Sequence, residues 1–285
     1  MKNTIELKHV SKEYPGFHLK DVSFCIPAGT IVGLVGENGA GKTTTIQAIL
    51  NSIHFGGEIQ IFGKDNRVAE KEIKQDLGVV LDDSFLSEYL SAKGVGAILK
   101  MMYANWDEKK YDTYLKKFKL PSSKLIKSYS SGMKMKLKIA AALSHCPKLL
   151  VLDEPTSGLD PIVRNEILDI FRDYILEDES RSILLSSHIT TDLESIADYI
   201  VFLHEGEIVF QLPTSDLLEK YGILKCSEKE FEQIQKEDVI RYQKRKYQYE
   251  VLISDKQKMR KKYPFAVIDK ATIDEIMLFY VKGEK

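Results

Sequence analysis

The sequence predicts an α/β protein built around a largely parallel β-sheet. Two observations support this prediction. Short apolar stretches such as 31–35 and 149–153 lack polar alternation, which indicates strands buried on both faces of a sheet. Helical patterns such as 42–50 and 164–176 follow these stretches, and strands that alternate with helices are typical of parallel sheets.

The other elements follow in chain order. Residues 4–10 (TIELKHV) alternate in polarity and predict a strand. The pattern is helical from about 84 to 146, which predicts a helical insertion into the sheet domain. Residues 199–210 predict a hairpin that turns at Glu205 and Gly206, because a glycine there is typical of tight turns.

Two domains are expected, residues 1–215 and 216–285, because the chain becomes charge-rich after about residue 215. The second segment is predicted to form a strand, a helix, two strands, a helix, a strand and a helix. This order predicts a small α+β domain. An apolar helical face over residues 273–280 is expected to dock this domain on the rest of the chain.

Composition narrows the functional classes. The chain has 285 residues, 44% of them apolar, and a net charge of −1, so no overall basic character indicates a nucleic-acid partner. Three unpatterned cysteines favour reduced thiols over a disulfide framework. No apolar stretch is long enough to span a bilayer, so work at a membrane would require spans from another chain.

The segment GENGAGKT, residues 36–43, fits the phosphate-binding pattern G-x-x-x-x-G-K-[ST] and lies between a predicted strand and a helix. Its glycines let successive backbone N–H groups converge on phosphate oxygens. Lys42 can reach the β- and γ-phosphates, and Thr43 can bind Mg²⁺. A dinucleotide fingerprint has different glycine spacing and no lysine. The candidate nucleotide-binding residues here are Gly36, Glu37, Asn38, Gly39, Ala40, Gly41, Lys42, Thr43 and Thr44.

A second candidate site follows the apolar strand 149–153, which ends in two adjacent carboxylates. The carboxyl ends of parallel strands line the ligand crevice of an α/β sheet. Asp153 is therefore expected to hold Mg²⁺, directly or through water. Glu154 is expected to polarise an attacking water as a general base.

Residues 1–213 resemble the ATPase subunits of ATP-binding-cassette (ABC) transporters, because they carry that family's motifs in the same order along the chain. Three more segments resemble motifs of this family besides the two described above. SSGMK (130–134) resembles the signature motif, SGLD (157–160) resembles the D-loop, and His188 resembles the switch histidine. The resemblance implies a P-loop NTPase core with N-terminal antiparallel strands and a helical insertion. It also implies ATP and Mg²⁺ as cofactors, a γ-phosphate contact for His188, and stacking of Tyr14 on adenine.

Further expectations follow from the same resemblance. Two subunits would pair head to tail, so that Ser130 and Gly132 of one cap the nucleotide of the other, with Asp160 nearby. The pair, a homodimer or a heterodimer, would power a separate membrane permease, an exporter, from the cytoplasmic face of the membrane. The alternatives are a soluble ABC-type ATPase and a nucleotide-gated regulatory subunit. The motifs occur once and the set Lys42, Asp153, Glu154 and His188 is complete, which favours a transport ATPase.

Two positions depart from the family pattern. Ser131 stands where the signature usually has its first glycine. Asp82 stands where the loop leading to the helical insertion normally has a glutamine. We expect Asp82 to lie near Mg²⁺ as a ligand, whereas the competing hypothesis is a solvated acid in a turn. The segment after residue 215 weakly resembles the tails of ABC-2-type exporter subunits.

Overall fold

The structure, a computed structural model, describes residues 2–81 and 86–285. In the described part of the chain the strands, in order, are β1 (Asn3–Tyr14), β2 (Phe17–Pro27), β3 (Ile31–Val35), β4 (Gly56–Ile61), β5 (Lys64–Asp65), β6 (Leu77–Val80), β7 (Leu149–Asp153), β8 (Ser182–Ser187), β9 (Tyr199–His204), β10 (Glu207–Pro213), β11 (Gly222–Cys226), β12 (Arg241–Lys244), β13 (Tyr249–Ile253) and β14 (Val267–Lys270).

The α-helices connect these strands. They are α1 (Lys42–Ile49), α2 (Glu70–Gln75), α3 (Ala92–Met102), α4 (Glu108–Lys117), α5 (Ser131–Leu143), α6 (Pro161–Leu176), α7 (Thr190–Ile196), α8 (Thr214–Glu219), α9 (Glu228–Phe231), α10 (Lys256–Lys262) and α11 (Ile273–Lys282), with short 3₁₀ turns at Ile126–Ser128 and Lys236–Asp238. None of the helices in these ranges is both long and apolar enough to cross a membrane.

A six-stranded sheet forms the centre of the molecule, in the order β10-β9-β3-β8-β7-β6. Its strands are parallel except for β10, which pairs antiparallel with β9 as the predicted hairpin. Every residue of β3, β7 and β8 is buried, as the apolar sequences of β3 and of most of β7 predict; the serines of β8 are buried as well. The parallel register brings the carboxyl ends of β3, β7 and β8 to one edge of the sheet.

A second, antiparallel sheet, ordered β2-β1-β4-β5, is formed by the N-terminal strands, and the expected α/β fold is confirmed. It shares an apolar core with the central sheet, in which Ile5 of β1 and Ile59 of β4 belong to the same buried cluster as Leu34 of β3. Gln211 of β10 also joins the two sheets, because its amide nitrogen donates to the Cys25 carbonyl at 2.6 Å.

The helical insertion comprises α3, α4 and α5. Ser91 caps α3 by accepting from the Gly94 N–H at 3.2 Å, and the Tyr111 hydroxyl of α4 donates to the Ala92 carbonyl at 2.8 Å. These bonds tie α4 to the start of α3 and leave their apolar faces packed on α5. Ser131, the first residue of α5, is exposed, whereas the rest of its first turn is half-buried.

The C-terminal segment folds as a four-stranded antiparallel sheet, β12-β13-β11-β14, in which the order of strands and helices along the chain is the predicted one. Ile276 and Phe279 of α11 are buried in the core that also contains Phe202 of β9. The ring of Tyr280 contacts Phe202 and Phe210. Helix α8 contains the predicted domain boundary at residue 215, and that boundary stays a prediction.

Candidate active site

The loop from Gly36 to Gly41 connects β3 to α1 and packs tightly against the neighbouring strand. A Cβ at Gly36 would lie 2.3 Å from the Leu203 carbonyl oxygen, so only glycine fits there. Gly41 precedes α1 with φ of 112°, a left-handed conformation that favours glycine. Because no side chain of the described residues caps α1, the N–H groups of its first turn can bind an anion.

A cleft of about 460 Å³ opens over this loop, large enough for the phosphates of a nucleotide. Its lining is mostly polar and glycine-rich. The lining residues are Gly16, Phe17, Glu37, Asn38, Gly39, Gly41, Lys42, Thr43, Thr44 and Glu154.

Lys42 is only 7% exposed and holds its ammonium beneath the loop. Its Nζ donates to the carbonyls of Gly36 at 2.8 Å and Glu37 at 3.3 Å. The Glu154 carboxylate lies 3.7 Å away. A buried cation needs such acceptors, and phosphate oxygens entering the cleft can take the same role.

Asp153 and Thr43 form the candidate metal site. The Thr43 hydroxyl donates to Asp153 Oδ2 at 3.0 Å, although 110 residues separate the two in sequence. The Ser186 hydroxyl donates to the other carboxylate oxygen of Asp153, which is 4% exposed. One carboxylate and one hydroxyl are hard oxygen donors of the kind that bind Mg²⁺ together with substrate phosphates. The residues present therefore fit Mg²⁺.

Glu154 lies between the phosphate loop and His188. Its φ of 50° is left-handed, a strained conformation for a residue other than glycine. The Glu154 N–H donates to the Ser186 hydroxyl at 3.1 Å and carbonyl at 3.2 Å, which holds this backbone in place. His188 Nδ1 lies 2.6 Å from Glu154 Oε2, and the His188 N–H donates to the same oxygen at 3.3 Å.

Ser186 was not among the residues singled out from the sequence. It contacts both Asp153 and Glu154 because β8 lies between β3 and β7 in the sheet. The signal for it was the pair of serines in LLSSH, polar residues at the end of an otherwise apolar strand. Such serines at the carboxyl end of a parallel strand point to the ligand crevice.

Other predicted residues lie elsewhere or outside the described chain. Tyr14 is 38% exposed, with Lys12 Nζ 4.9 Å from its ring centroid, and it does not line the cleft. Phe17, which sequence reasoning missed, does line it. Asp82 lies outside the described residues, so its predicted metal role is not addressed by the structure.

The signature and D-loop residues occupy the starts of two helices. Ser130 caps α5 by accepting from the Met133 N–H at 3.3 Å. Asp160 caps α6 by accepting from the N–H groups of Ile162 and Val163, both at 3.1 Å. None of the described residues that line the phosphate cleft comes from these two segments.

Comparisons with known proteins find similar sequences over about three quarters of the chain. A family model described as "ABC transporter" matches residues 19–157. A putative ABC transporter ATP-binding protein of Mycoplasma pneumoniae is 35% identical over 227 residues, which cover 75% of this chain and 68% of that protein. The bacitracin transport ATP-binding protein BcrA of Bacillus licheniformis is 33% identical over 221 residues, covering 76% of this chain and 72% of that protein.

Among solved structures, one described as the ATP-binding subunit of an ABC transporter superposes with a TM-score of 0.69 at 29% identity. The match covers 75% of this chain and 91% of that one. The superposed part therefore accounts for nearly the whole of the solved subunit.

Proposed function

The chain belongs to the family of ABC transporter ATP-binding proteins, and on this premise we propose that it hydrolyses MgATP through the five residues Lys42, Thr43, Asp153, Glu154 and His188. ATP binding and hydrolysis are the family's activity. The observation that carries the assignment of residues is the position of Glu154, whose carboxylate contacts both Lys42 and His188 at the edge of the phosphate cleft.

The proposed mechanism assigns each residue a separate task. The N–H groups of the loop and of α1 bind the phosphates, and Lys42 exchanges its carbonyl acceptors for the β- and γ-phosphate oxygens. Thr43 and Asp153 would hold Mg²⁺, which when bound neutralises phosphate charge. Glu154 orients a water molecule and accepts its proton, while His188 fixes the Glu154 carboxylate by donating from Nδ1. A doubly protonated His188 ring would also donate from Nε2 toward the γ-phosphate.

A pair of ATP-binding subunits completes the nucleotide site in this proposal. Ser130 and Asp160 are exposed at helix starts and are absent from their own chain's cleft within the described residues. An N-terminal helix end with a nearby glycine, Gly132, suits the γ-phosphate of a nucleotide held by a second chain. The second chain is a copy of this one or a related subunit. Tyr14 is proposed to stack on the adenine from the side of the cleft.

Transport is proposed to occur through a separate permease, with this subunit bound at the cytoplasmic face of the membrane. Export as the direction is supported by the likeness of the C-terminal segment to exporter subunits and by a relative whose name refers to bacitracin transport. The transported molecule would contact the permease rather than any residue of this chain.

Replacing Glu154 by glutamine tests the assignment of the general base. The substitution keeps the shape of the side chain but removes its charge and basicity, so turnover should fall by about 10²- to 10⁴-fold while ATP binding persists. Turnover and ATP affinity would be measured on purified protein. Glu58→Gln, at an exposed glutamate on β4, serves as the control and should behave as wild type. Wild-type turnover in Glu154→Gln would refute the assignment.

A further inference from the structure

Asp192 is a buried carboxylate outside the phosphate cleft. It lies in the first turn of α7 with 3% exposure. Its Oδ2 accepts a hydrogen bond from the Thr156 hydroxyl at 2.7 Å, and its Oδ1 forms an ion pair with Arg164 Nε. Arg164 also donates from Nη2 to the Thr191 hydroxyl at 2.9 Å. The charge of Asp192 is thus compensated within the protein, as a buried carboxylate requires.

The partners of Asp192 come from three separate segments. Thr156, which is 1% exposed, lies two residues after Glu154 in the turn that leads to α6. Arg164 lies in the first turn of α6. Asp192 itself lies four residues after His188. One carboxylate therefore links the segment that carries Glu154, the helix after the D-loop, and the helix after the switch histidine.

These contacts bear on the geometry of hydrolysis. The segment that carries Thr156 and the segment that carries Asp192 also meet at the cleft, through Glu154 and His188. The Glu154–His188 bond of 2.6 Å joins them at the cleft, and the Thr156–Asp192 bond joins them farther from the cleft. Glu154 has a left-handed backbone, a conformation that persists only where the surroundings hold it. Strands β7 and β8 and the Glu154–Ser186 bonds already hold the two segments together at the sheet edge, and the Thr156–Asp192 bond adds a contact beyond the strand ends, where the segments turn into α6 and α7.

We propose that Asp192, with Thr156 and Arg164, is a positioning cluster that holds His188 and Glu154 in register for hydrolysis. This inference rests on the proposed roles of Glu154 and His188. Within the described chain, no hydrogen bond or ion pair joins the cluster to a residue that lines the cleft, so the cluster should affect turnover rather than nucleotide affinity. Misplacement of a reacting group by a fraction of an ångström is sufficient to lower the rate.

Two substitutions of Thr156 test the proposal. Thr156→Val keeps the volume but removes the hydroxyl, and it should lower kcat by about 10- to 100-fold with KM for MgATP changed less than about twofold. Thr156→Ser keeps the hydroxyl and should restore kcat to within about threefold of wild type. Kinetics would be measured at a temperature where circular dichroism shows each variant folded.

Asp198→Asn provides the matched control. Asp198 follows α7, the helix that contains Asp192, but its carboxylate accepts from the Ile31 N–H at 2.8 Å instead of bonding to the cluster. Its kcat should equal that of wild type even if its melting temperature falls. Lower melting temperature with unchanged kcat in Thr156→Val would overturn the positioning role. If Thr156→Val does not fold, Arg164→Lys, which removes the bond to Thr191, is judged by the same split between kcat and KM.

The outcome is separable from that of the proposed function. If wild type hydrolyses ATP and Glu154→Gln does not, the proposed function stands whatever the Thr156 variants do. If Glu154→Gln retains turnover, the base assignment fails and the positioning role, which rests on it, is overturned as well, whereas unchanged kcat in Thr156→Val overturns the positioning role alone.

Discussion

His145 is buried between the helical insertion and the central sheet, where its ring stacks on Tyr103 with centroids 3.8 Å apart. Its Nε2 donates to the Leu77 carbonyl of β6 at 2.9 Å, so the neutral ring already satisfies a sheet-edge acceptor. Burial lowers the pKa of this imidazole below its ordinary value, and the bond to Leu77 only partly offsets that effect. The residue therefore contributes to stability in its neutral form.

The pH dependence of stability tests this role. Since the unfolded chain takes up a proton on His145 at a higher pH than the folded protein does, the free energy of unfolding should fall as pH drops below about 6.5. The loss should stop once the pH is below the folded-state pKa. Urea unfolding at several pH values gives the free energy of unfolding as a function of pH. This free energy should fall less steeply with falling pH in His145→Phe, which keeps a stacked ring, than in wild type. His54→Phe is the control, and equal slopes in wild type and His145→Phe would contradict the prediction.

Asp82 is the residue whose predicted role depends most on charge. A carboxylate near Mg²⁺ attracts the ion but repels ATP phosphates when the ion is absent. Asp82→Asn should therefore raise the Mg²⁺ concentration needed for half-maximal ATPase activity and leave metal-free ATP binding unchanged or tighter. Mg²⁺ titrations of wild type, Asp82→Asn and the neighbouring Asp83→Asn measure this. Superimposable curves, with equal metal-free affinity, would favour the surface-turn hypothesis.

At this scale the sequence singled out residues that the structure brings together, and their functional roles stay predictions. Thr43 and Asp153, which come from two separate motifs, lie together because each motif is at the carboxyl end of a strand of one parallel sheet. Sequence reasoning did not single out Ser186 or Asp192. The Ser186–Asp153 and Asp192–Thr156 bonds join residues 33 and 36 positions apart, and single-sequence periodicity does not reveal which strands are neighbours.

At the scale of secondary-structure elements, α7 is held from two sides. Asp192 faces the α6 side, whereas Glu194 Oε1 accepts the N–H of Ile273, the first residue of α11, at 3.0 Å. Thr272 also caps α11, through its bond to the Glu275 N–H at 3.2 Å. The C-terminal segment thus docks on the helix that follows the switch histidine.

Removing the Glu194 contact should weaken this docking. Glu194→Ala leaves an N–H at the start of α11 without its side-chain acceptor, and the free energy of unfolding should fall by about 1 kcal/mol. Thr272→Ala should cost a similar amount through the local cap. Urea unfolding measures both, with Glu219→Ala on α8 as a control. Stability equal to wild type in Glu194→Ala would show that apolar packing alone docks α11.

In the C-terminal segment, the sequence predicted the order of strands and helices along the chain but not which strands lie side by side in the sheet. The C-terminal order of strands and helices was read correctly because alternation and charge change sharply there. That β11 lies between β13 and β14 depends on long-range pairing, in which Leu224 faces both Val251 and Ile268. Such pairing is decided by packing of the completed sheet rather than by local propensity.

At the scale of the whole molecule, the residues that line the phosphate cleft and the residues proposed to cap a partner's nucleotide come from separate segments. The phosphate loop, Lys42 and Glu154 form a cleft, while Ser130 and Asp160 sit at exposed helix starts away from its lining. The Lys134 side chain of the signature pairs with Glu88, which holds the start of α5 to the segment that follows residue 85. In the proposed pairing, the phosphate cleft of one chain and the exposed helix starts of the other would together enclose the nucleotide.

ATP should drive pairing of two chains when hydrolysis is blocked, because each γ-phosphate would then bridge residues 36–43 of one chain and 130–132 of the other. Sedimentation of Glu154→Gln should show dimers with saturating ATP and monomers without it. Adding Gly132→Asp places a carboxylate at the helix start, where it repels the partner's phosphate but leaves the chain's own loop intact. This double variant should bind ATP and stay monomeric. If Gly132→Asp does not affect pairing, the signature helix is excluded from the interface. If the Glu154→Gln protein is monomeric at saturating ATP, a homodimer is excluded. A related subunit is then the partner to test, by mixing the two proteins.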